Sequence, residues 1–409
     1  MRTGFRNVDV EMSRRASLCI AQGALTNSKR PESLVKGVMP QHAISGNGVV
    51  LKDTFGREYI DYICGLGTNL LGYGHTSVVA AAMLGLREGS SLSLSTDQEV
   101  KTAEKIKELF PFIDKVKFLN SGSEGCTSSL IIARAATGRK KVKSVDYHGF
   151  HPEFVSLTPP AYGVVEHPFI EKLVEPFEVD NDLAAVILEP IVTDLSDERI
   201  AYLKRLREFC TQNDTLLIFD ETITAFRFPK YSVASYLNIE PDLIVFGKAI
   251  ANGEKLSVVG GKAKIMDSDY FVSTTFAGHR PSLAAAHQTM TLLQKAYDVT
   301  HLWDAGKRFK DKFNEIAKGV VQLGGYNTRG VLVGEAKAVA IFMQEMCKSG
   351  VLFGPSWFYA FPHIQLQDSV LSIVKDVCMK ITSGQCRLEG ELPKKAFSAK
   401  VRENVTGKN

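Results

Sequence analysis

A lysine and an aspartate each stand at the end of an apolar run that is typical of a buried strand. Lys248 follows the run Leu243–Gly247, and Asp220 follows a second run, Leu216–Phe219. The carboxyl ends of the strands in an open α/β sheet form the ligand crevice, so we expect the amine and the carboxylate to meet over one small molecule. Two reactive side chains are therefore expected at one edge of a sheet.

A phosphate site is expected near these two residues. Lys115–Leu119 is typical of a strand, and it leads into Asn120–Glu124 and then a helix of small and apolar residues. N–H groups and hydroxyls at the start of a helix bind phosphate, helped by the positive end of the helix dipole. Ser121 and Ser123 would supply hydroxyls, and Gly122 would let the backbone approach closely.

The three features match the contacts that pyridoxal 5'-phosphate requires. A lysine amine forms a Schiff base with the cofactor aldehyde, and a carboxylate keeps the pyridine nitrogen protonated so that the ring withdraws electrons. The helix start would anchor the phosphate. The sequence therefore predicts pyridoxal 5'-phosphate as the cofactor.

At this point the chain resembles a known family, the class-III aminotransferases. The resemblance rests on four motifs in the family's order, which are FLNSGSEG, DYHG at Asp146–Gly149, LIFDET at Leu217–Thr222 and PDLIVFGKAIANG at Pro241–Gly253. Within the family the chain is most similar to the glutamate-semialdehyde aminomutase branch. The similarity extends from about Gly46 to Met290.

The resemblance implies fold type I of the pyridoxal-phosphate-dependent transferases, which is aspartate-aminotransferase-like. This α/β fold has a large domain with a mostly parallel central sheet and a smaller α+β domain. The alternation of strands and helices, for example Ala185–Leu188 and then Asp197–Gln212, agrees with it. We expect residues 1–60 to belong to the small domain, residues 61–295 to bind the cofactor, and residues 296–409 to complete the small domain and end in a solvated polar tail.

The resemblance also implies roles for single residues. Tyr147 matches an aromatic side chain that stacks on the cofactor ring, and Thr222 is a further expected cofactor contact. Thr275 matches a residue that reaches the phosphate from the partner subunit, which implies a homodimer with active sites at the interface. Asn69 lies in a loop, Gly65–Asn69, that lines the substrate pocket in this family.

Three departures from the family pattern concern the substrate. The aminomutase branch holds the substrate carboxylate with an arginine before the first strand, whereas Ser33–Gly37 offers at best Lys36. Its Ser-Trp-Gly-Pro pocket loop is replaced by Gly65–Asn69. The chain also reads Gly278-His-Arg-Pro281 where the family reads Gly-Asn-Pro. Arg280 would either hold an anionic substrate group near the pocket mouth or pair with an acid on the surface.

The expected activity is that of a pyridoxal-phosphate-dependent aminotransferase. It would move an amino group from an amino donor to a carbonyl acceptor through a Lys248 Schiff base, with ping-pong kinetics. An aminomutase of the glutamate-semialdehyde type, which transfers the amino group within one molecule, is the alternative. A catalytically inactive binding scaffold is disfavoured because Lys248, Asp220 and the phosphate site are all intact. The sequence names neither the donor nor the acceptor.

Composition limits the other classes of function. The formal charge is +4 among 49 basic and 45 acidic residues, and the basic residues are scattered, so nucleic acid is not an expected partner. No apolar stretch is long enough to cross a bilayer, and no secretory signal is present. Seven cysteines without a Cys-x-x-Cys pair indicate reduced thiols and a cytoplasmic location. His148-x-x-His151 has no third ligand at a suitable spacing, so no metal is expected.

Overall fold

The structure is a computed structural model that describes residues 9–145, 147–156, 164–165 and 167–394. The α-helices in these residues are α1 (Val10–Cys19), α2 (Cys64–Gly67), α3 (Thr76–Arg87), α4 (Asp97–Leu109), α5 (Gly122–Thr137), α6 (Pro152–Val155), α7 (Asp197–Gln212), α8 (Val233–Leu237), α9 (Ala263–Met266), α10 (Arg280–Lys295), α11 (Val299–Ile316), α12 (Ala336–Lys348) and α13 (Gln367–Thr382). Short 3₁₀ turns cover Ala21–Gly23, Asn27–Lys29, Pro31–Ser33, Pro229–Tyr231, Lys248–Ala251 and Phe361–Gln365.

The strands form three sheets. They are β1 (Ala43–Asn47), β2 (Val50–Asp53), β3 (Glu58–Asp61), β4 (Lys115–Leu119), β5 (Lys141–Ser144), β6 (Ile170–Lys172), β7 (Leu183–Leu188), β8 (Leu216–Glu221), β9 (Leu243–Phe246), β10 (Ser257–Gly261), β11 (Gln322–Tyr326), β12 (Arg329–Val333), β13 (Val351–Leu352) and β14 (Ser356–Phe358). The central sheet has seven strands in the order β4-β10-β9-β8-β7-β5-β6.

The central sheet is parallel except for β10, which runs antiparallel to both of its neighbours. Every residue of β7 and of β9 is buried. Continuous burial of this kind belongs to strands whose two faces are both covered by helices, which is why these strands are apolar throughout rather than alternating. The expected α/β fold with a mostly parallel sheet is confirmed.

Helix α4 begins as its sequence predicts. Thr96 and Glu99 form the capping box, in which the Glu99 carboxylate accepts a hydrogen bond from the Thr96 backbone N–H at 3.0 Å. The box satisfies backbone N–H groups that a helix start otherwise leaves without a partner. The predicted helix Asp197–Gln212 is α7.

The first and last parts of the chain share a sheet. Strand β3 pairs in parallel with β13 in the four-stranded sheet β1-β2-β3-β13, while β11, β12 and β14 form a separate three-stranded sheet. A small domain built from the N-terminal segment and the C-terminal region requires such a pairing. The division at residues 60 and 295 remains a proposal.

Residues 387–394 of the predicted polar tail are exposed or half-buried, and two of their backbone N–H groups bind the N-terminal segment. The Glu391 N–H donates to the Lys36 carbonyl at 3.0 Å, and the Lys394 N–H donates to the Glu32 carbonyl at 2.6 Å. The N-terminal segment offers backbone carbonyls there, and the polar tail binds them. Residues 395–409, like residues 1–8, lie outside the described residues.

Among the helices of the described ranges, none combines the length and the apolar character that crossing a bilayer requires.

Candidate active site

Five strands bring the candidate site together. Strands β4, β9, β8, β7 and β5 run in the same direction, so their carboxyl ends lie along one edge of the sheet. Asp220 lies in β8 opposite Val245 of β9, and Lys248 follows β9. Both side chains line a cavity of about 910 Å³. The expected meeting of amine and carboxylate at this edge is what the structure shows.

Lys248 has a strained backbone and a perturbed amine. It opens the 3₁₀ turn Lys248–Ala251 with φ at 45°, a value that non-glycine residues rarely adopt. Burial lowers the pKa of its ammonium group, and the nearby carboxylates of Asp220 and Glu189 oppose this effect only in part. Its amine is therefore neutral, and so nucleophilic, at a lower pH than an exposed lysine would require.

Asp220 is held as a carboxylate by His148. The His148 Nδ1–H donates to Asp220 Oδ2 at 2.8 Å, and the Thr222 N–H donates to Asp220 Oδ1 at 3.0 Å. Burial alone would raise the pKa of Asp220, but the bonds from His148 and Thr222 outweigh it and lower the pKa to about 2. Asp220 therefore stays ionised at neutral pH although its side chain is buried.

His148 is itself held as a cation. Its Nε2–H donates to the Val145 carbonyl while Nδ1–H donates to Asp220, so both ring nitrogens are donors. Burial works to lower the pKa of His148, but the bonds with Asp220 and Val145 outweigh it and raise the pKa. The His148–Asp220 pair is thus a buried ion pair in the wall of the cavity.

His148 and His151 have different partners. His151 Nδ1 bonds to Thr127 Oγ1 at 2.8 Å. Cys126 Sγ, a ring nitrogen of His148 and a carboxylate oxygen of Asp220 lie within 4.8 Å of one another. Because His148 and Asp220 already bind each other, we interpret this cluster as hydrogen-bonded support for Asp220.

The start of α5 has the features expected of an anion site. Ser121 caps the helix by accepting a hydrogen bond from the Glu124 N–H at 3.2 Å, and Ser121, Gly122 and Ser123 all line the cavity. A Cβ atom on Gly122 would lie 2.9 Å from Thr222 Cγ2, so only glycine lets the helix start approach that residue. The helix dipole places positive charge at this point.

The site fits pyridoxal 5'-phosphate. The Thr222 hydroxyl is buried and has no hydrogen-bond partner among the described residues, as expected of a group that binds a ligand. Tyr147, which lines the cavity and is 44% exposed, offers an aromatic side chain. The anion site, the ionised Asp220 and the amine of Lys248 complete the donor set that the cofactor needs. Asp146, in the same motif as Tyr147, lies outside the described residues.

Sequence reasoning missed an ion pair in the cavity wall. Arg329, at the start of β12, donates to the Glu189 carboxylate, and both residues line the cavity. Their side chains are 12% and 11% exposed. Glu189 directly follows β7, and Asp220 is the next-to-last residue of β8, so the strand-end position of Glu189 was a sequence signal that could have identified it. Arg329 carries no local signal because it reaches the cavity from a hairpin far along the chain.

The N-terminal segment also contributes to the cavity. Leu25, Thr26, Asn27 and Ser28 line it. The sequence pattern around these four residues gives no sign of this role.

Three predicted site residues do not line this cavity in the single chain. Asn69 is buried, and its amide nitrogen donates to Thr68 Oγ1 at 2.8 Å. Arg280 pairs with Glu88, which is the surface ion pair considered above as its alternative role. Thr275 is exposed in the turn before α10.

Lys36 is likewise engaged elsewhere. It pairs with Glu32 at 3.1 Å and with Glu391 at 3.7 Å, and it is not among the described residues of the cavity wall. The carboxylate anchor that the aminomutase branch carries before its first strand thus has no counterpart in this cavity.

Comparison with known proteins gives a consistent picture. The family model described as Aminotransferase class-III matches residues 36–165 and 152–376. A glutamate-1-semialdehyde 2,1-aminomutase of Methylacidiphilum infernorum is 28% identical over 396 residues, which cover 84% of this chain and 92% of that protein. The corresponding protein of Francisella philomiragia subsp. philomiragia is 31% identical over 325 residues, covering 72% and 75%.

A solved structure shares the fold. The FumI protein of Sphingopyxis sp. MTA144, in its PLP internal aldimine form, superposes with a TM-score of 0.85 at 22% sequence identity. The match covers 95% of this chain and 99% of that one.

Proposed function

The chain belongs to the class-III aminotransferases, and from this premise we propose that it transfers an amino group from an amino donor to a separate carbonyl acceptor with ping-pong kinetics. The observation that carries the proposal is the convergence of Lys248, Asp220 and the start of α5 on one cavity. The family is pyridoxal-phosphate-dependent, and the donor set of the site suits that cofactor.

We assign the cofactor contacts by their chemistry. Lys248 would hold the aldehyde carbon covalently, and Asp220 would accept a hydrogen bond from the pyridine nitrogen. Tyr147 would stack on the ring. The phosphate would be bound by residues at the start of α5 and beside it, namely Ser121, Gly122, Ser123 and Thr222.

Asp220 and Lys248 have different roles in the proposed amino transfer. When bound, pyridoxal phosphate supplies an electron sink that stabilises negative charge at the donor carbon. Asp220, kept ionised by His148, holds the proton on the pyridine nitrogen. Lys248, released by the incoming donor, takes the proton from the donor carbon and returns it on the other side of the transferred nitrogen. Its lowered pKa favours the neutral amine that this task requires.

Arg329 is the proposed anchor for a substrate carboxylate. Among the described residues that line the cavity it is the only arginine. Arg227 lies near it, fully buried, and donates to the carbonyl oxygens of Gly67 and Tyr359. The charge of Arg329 acts on Arg227, so two guanidinium groups lie near each other, and Glu189 pairs with Arg329. A substrate carboxylate would take the place of Glu189 as the partner of Arg329.

Replacing Arg329 with methionine should raise KM for a carboxylate-bearing donor by roughly 10- to 100-fold, because charge-assisted hydrogen bonds are lost. The kcat should change little, and a donor amine without a carboxylate should be unaffected. Arg280→Met is the matched comparison, since Arg280 was the anchor expected from the sequence. If KM rises for Arg280→Met and not for Arg329→Met, the residue that binds the substrate carboxylate is Arg280.

Intramolecular amino transfer is the second candidate function, because curated relatives of this chain are named glutamate-1-semialdehyde 2,1-aminomutase. The engagement of Lys36 with Glu32 and Glu391 weighs against it. The two functions differ in their need for an acceptor. An aminomutase converts glutamate-1-semialdehyde without any second substrate.

The proposed function is tested by following the nitrogen atom. The loaded enzyme is incubated with ¹⁵N-labelled amino donors and a panel of keto acids and aldehydes, and the products are examined by mass spectrometry. We expect the label to appear on a different carbon skeleton. Label that never leaves its own skeleton, together with conversion of glutamate-1-semialdehyde alone, would establish the aminomutase.

We also propose a homodimer with active sites at the interface. The surface supports it, because apolar side chains are exposed on α3 and in the segment before α10, namely Val79, Met83, Leu84, Leu86, Phe271 and Phe276. A second copy of the chain would cover them. Thr275 lies in the same exposed segment, where it would reach the phosphate of the partner subunit.

A mixing experiment tests the role of Thr275. Thr275→Asp would repel the phosphate and Lys248→Ala would remove the amine, so each variant alone should be inactive. After subunit exchange, a mixed dimer has one site with an intact Lys248 and an intact Thr275 from the other chain. We expect the 1:1 mixture to recover about a quarter of the wild-type activity. No recovery, despite mixed dimers shown by native mass spectrometry, would place Thr275 outside the partner's site.

A cytoplasmic location is part of the proposal. All seven cysteines are free thiols, and five of them are buried, as expected of a protein that keeps its thiols reduced.

A further inference from the structure

Arg329 is placed by a hairpin that also carries a tyrosine. Strands β11 and β12 pair antiparallel, and Tyr326 lies directly opposite Arg329 at the turn end of the hairpin. On its other side Arg329 lies opposite Phe358 of β14, a residue of the cavity wall. Directly opposed residues project from the same face of a sheet, so the phenol and the guanidinium are neighbours.

The Tyr326 hydroxyl is buried close to the Arg329 guanidinium but makes no hydrogen bond of good geometry. The side chain is 2% exposed, and among the described residues no group meets its oxygen with hydrogen-bond geometry. Burial raises the pKa of Tyr326 to about 12, and the charge of Arg329 and a side-chain contact with it oppose that shift. The hydroxyl and the guanidinium therefore lie within reach of each other. A buried hydroxyl without a partner costs free energy, and such a group in a functional region needs an explanation.

The backbone around this pair has little freedom to move. Thr328 Oγ1, in the hairpin turn, donates to the Arg227 carbonyl at 3.0 Å, and the Thr328 carbonyl accepts from the Tyr359 N–H at 2.9 Å. A Cβ atom on Gly306 of α11 would lie 2.1 Å from the Asn327 carbonyl oxygen, so α11 packs directly on the turn. Any change in the position of the guanidinium must therefore come from rotation of the Arg329 side chain.

The Tyr326 ring is fixed as well. It packs on Phe228, with ring centroids 4.6 Å apart, and stacks on Trp303 at 6.0 Å. Its hydroxyl oxygen therefore occupies a constant place beside a guanidinium that has five N–H donors. In the structure Arg329 directs a donor to Glu189, and donors remain for a second acceptor.

We propose that Tyr326 is a positioning residue for Arg329: its hydroxyl oxygen accepts a hydrogen bond from the guanidinium when a substrate carboxylate replaces Glu189 as the partner of Arg329. The hydroxyl is thus a second hydrogen-bond acceptor for Arg329. It holds the guanidinium at the cavity wall while the carboxylate partner changes from Glu189 to the substrate. This proposal rests on the carboxylate contact assigned to Arg329 under the proposed function.

A second buried hydroxyl provides a matched control. The hydroxyl of Tyr62 is also buried without a partner among the described residues, and its ring is stacked between other aromatic rings. The charged groups that act on Arg329 do not include Tyr62. Removing either hydroxyl deletes the same atom from a comparable packing environment. Only the loss at Tyr326 should affect Arg329.

The experiment measures binding of a carboxylate without turnover. Glutarate has two carboxylates but no amine or carbonyl, so its binding to the cofactor-loaded protein can be followed by isothermal titration calorimetry. We expect Tyr326→Phe to weaken glutarate binding roughly tenfold, since a hydrogen bond to a charged group is lost, and Tyr62→Phe to leave it unchanged. In an Arg329→Met background, Tyr326→Phe should have no further effect.

The outcomes separate the two proposals. Equal glutarate affinity in wild type and Tyr326→Phe overturns the positioning role, and so does equal weakening in both tyrosine variants. If Arg329→Met binds glutarate as wild type does, the carboxylate contact of the proposed function is wrong. If Arg329→Met weakens glutarate binding and Tyr326→Phe does not, the carboxylate contact of Arg329 is supported and the positioning role of Tyr326 is wrong.

Discussion

Replacing Lys248 with alanine should lower kcat for amino transfer by at least about 1000-fold, because we propose this side chain as both the attachment point of the cofactor and the proton carrier. The fold should survive, since Lys248 lies at the cavity wall and not in the apolar core. Lys255→Ala is the matched control, because it removes an exposed lysine from the same cavity wall. We expect the control to keep most of the wild-type kcat in a steady-state assay.

The covalent role of Lys248 has its own readout. Reduction of the loaded protein with borohydride should fix the cofactor to one peptide, which mass spectrometry should identify as the one that contains Lys248. A cofactor fixed to Lys255, or a Lys248→Ala protein with the wild-type rate, would show that the amine belongs to another residue.

Replacing Asp220 with alanine should reduce kcat by at least about 100-fold. Without this carboxylate the pyridine nitrogen would lose its proton, and the ring would withdraw electrons less strongly from the donor carbon during proton abstraction. Cofactor affinity should fall less, by about 1.5 to 3 kcal/mol, the usual size of one charge-assisted contact. Both quantities are measurable, kcat by single-turnover kinetics and affinity by fluorescence titration. An equal kcat in the variant and the wild type would exclude this role.

Glu221 provides the control for Asp220. It is the next residue of β8, so its side chain projects from the opposite face of the sheet, where it accepts hydrogen bonds from the N–H groups of Val233 and Ala234 at 2.8 Å. Burial raises the pKa of Glu221 to about 7. Glu221→Gln should therefore change stability modestly and kcat very little.

The pH dependence of Asp220 has a definite sign. Its pKa is lowered in the folded protein, from an ordinary value of 3.8 to about 2, so the ionised form stabilises the fold above the unfolded pKa. That stability is lost as the pH falls from about 4 to about 2. Asp220 therefore cannot be the group that limits activity near neutral pH.

The reactive pair was predictable because its signals are local. Strand β9 is apolar along its whole length, and β8 is apolar up to Phe219. In a strand buried on both faces, a charged residue at or just after the end, such as Asp220 or Lys248, is conspicuous. The start of α5 was predictable for the same reason, since a helix-capping serine such as Ser121 leaves a short sequence signature.

The substrate end of the site was not predictable in this way. Arg329 contacts Glu189 from 140 residues away, and nothing in either local sequence specifies that meeting. Arg280 had a suggestive local context, but the structure places it at the start of α10, where Glu88 is its acidic partner. Contacts of long sequence separation depend on the packing of the small sheets, which local patterns do not encode.

The central claim, amino transfer between two substrates through Lys248, is tested most directly by a single-turnover experiment with the cofactor-loaded enzyme and no acceptor. A productive donor should yield one keto product per active site and then stop, and a carbonyl acceptor added afterwards should recover the amino group stoichiometrically. Product formation that continues without any acceptor, or a first turnover that survives Lys248→Ala, would contradict the claim.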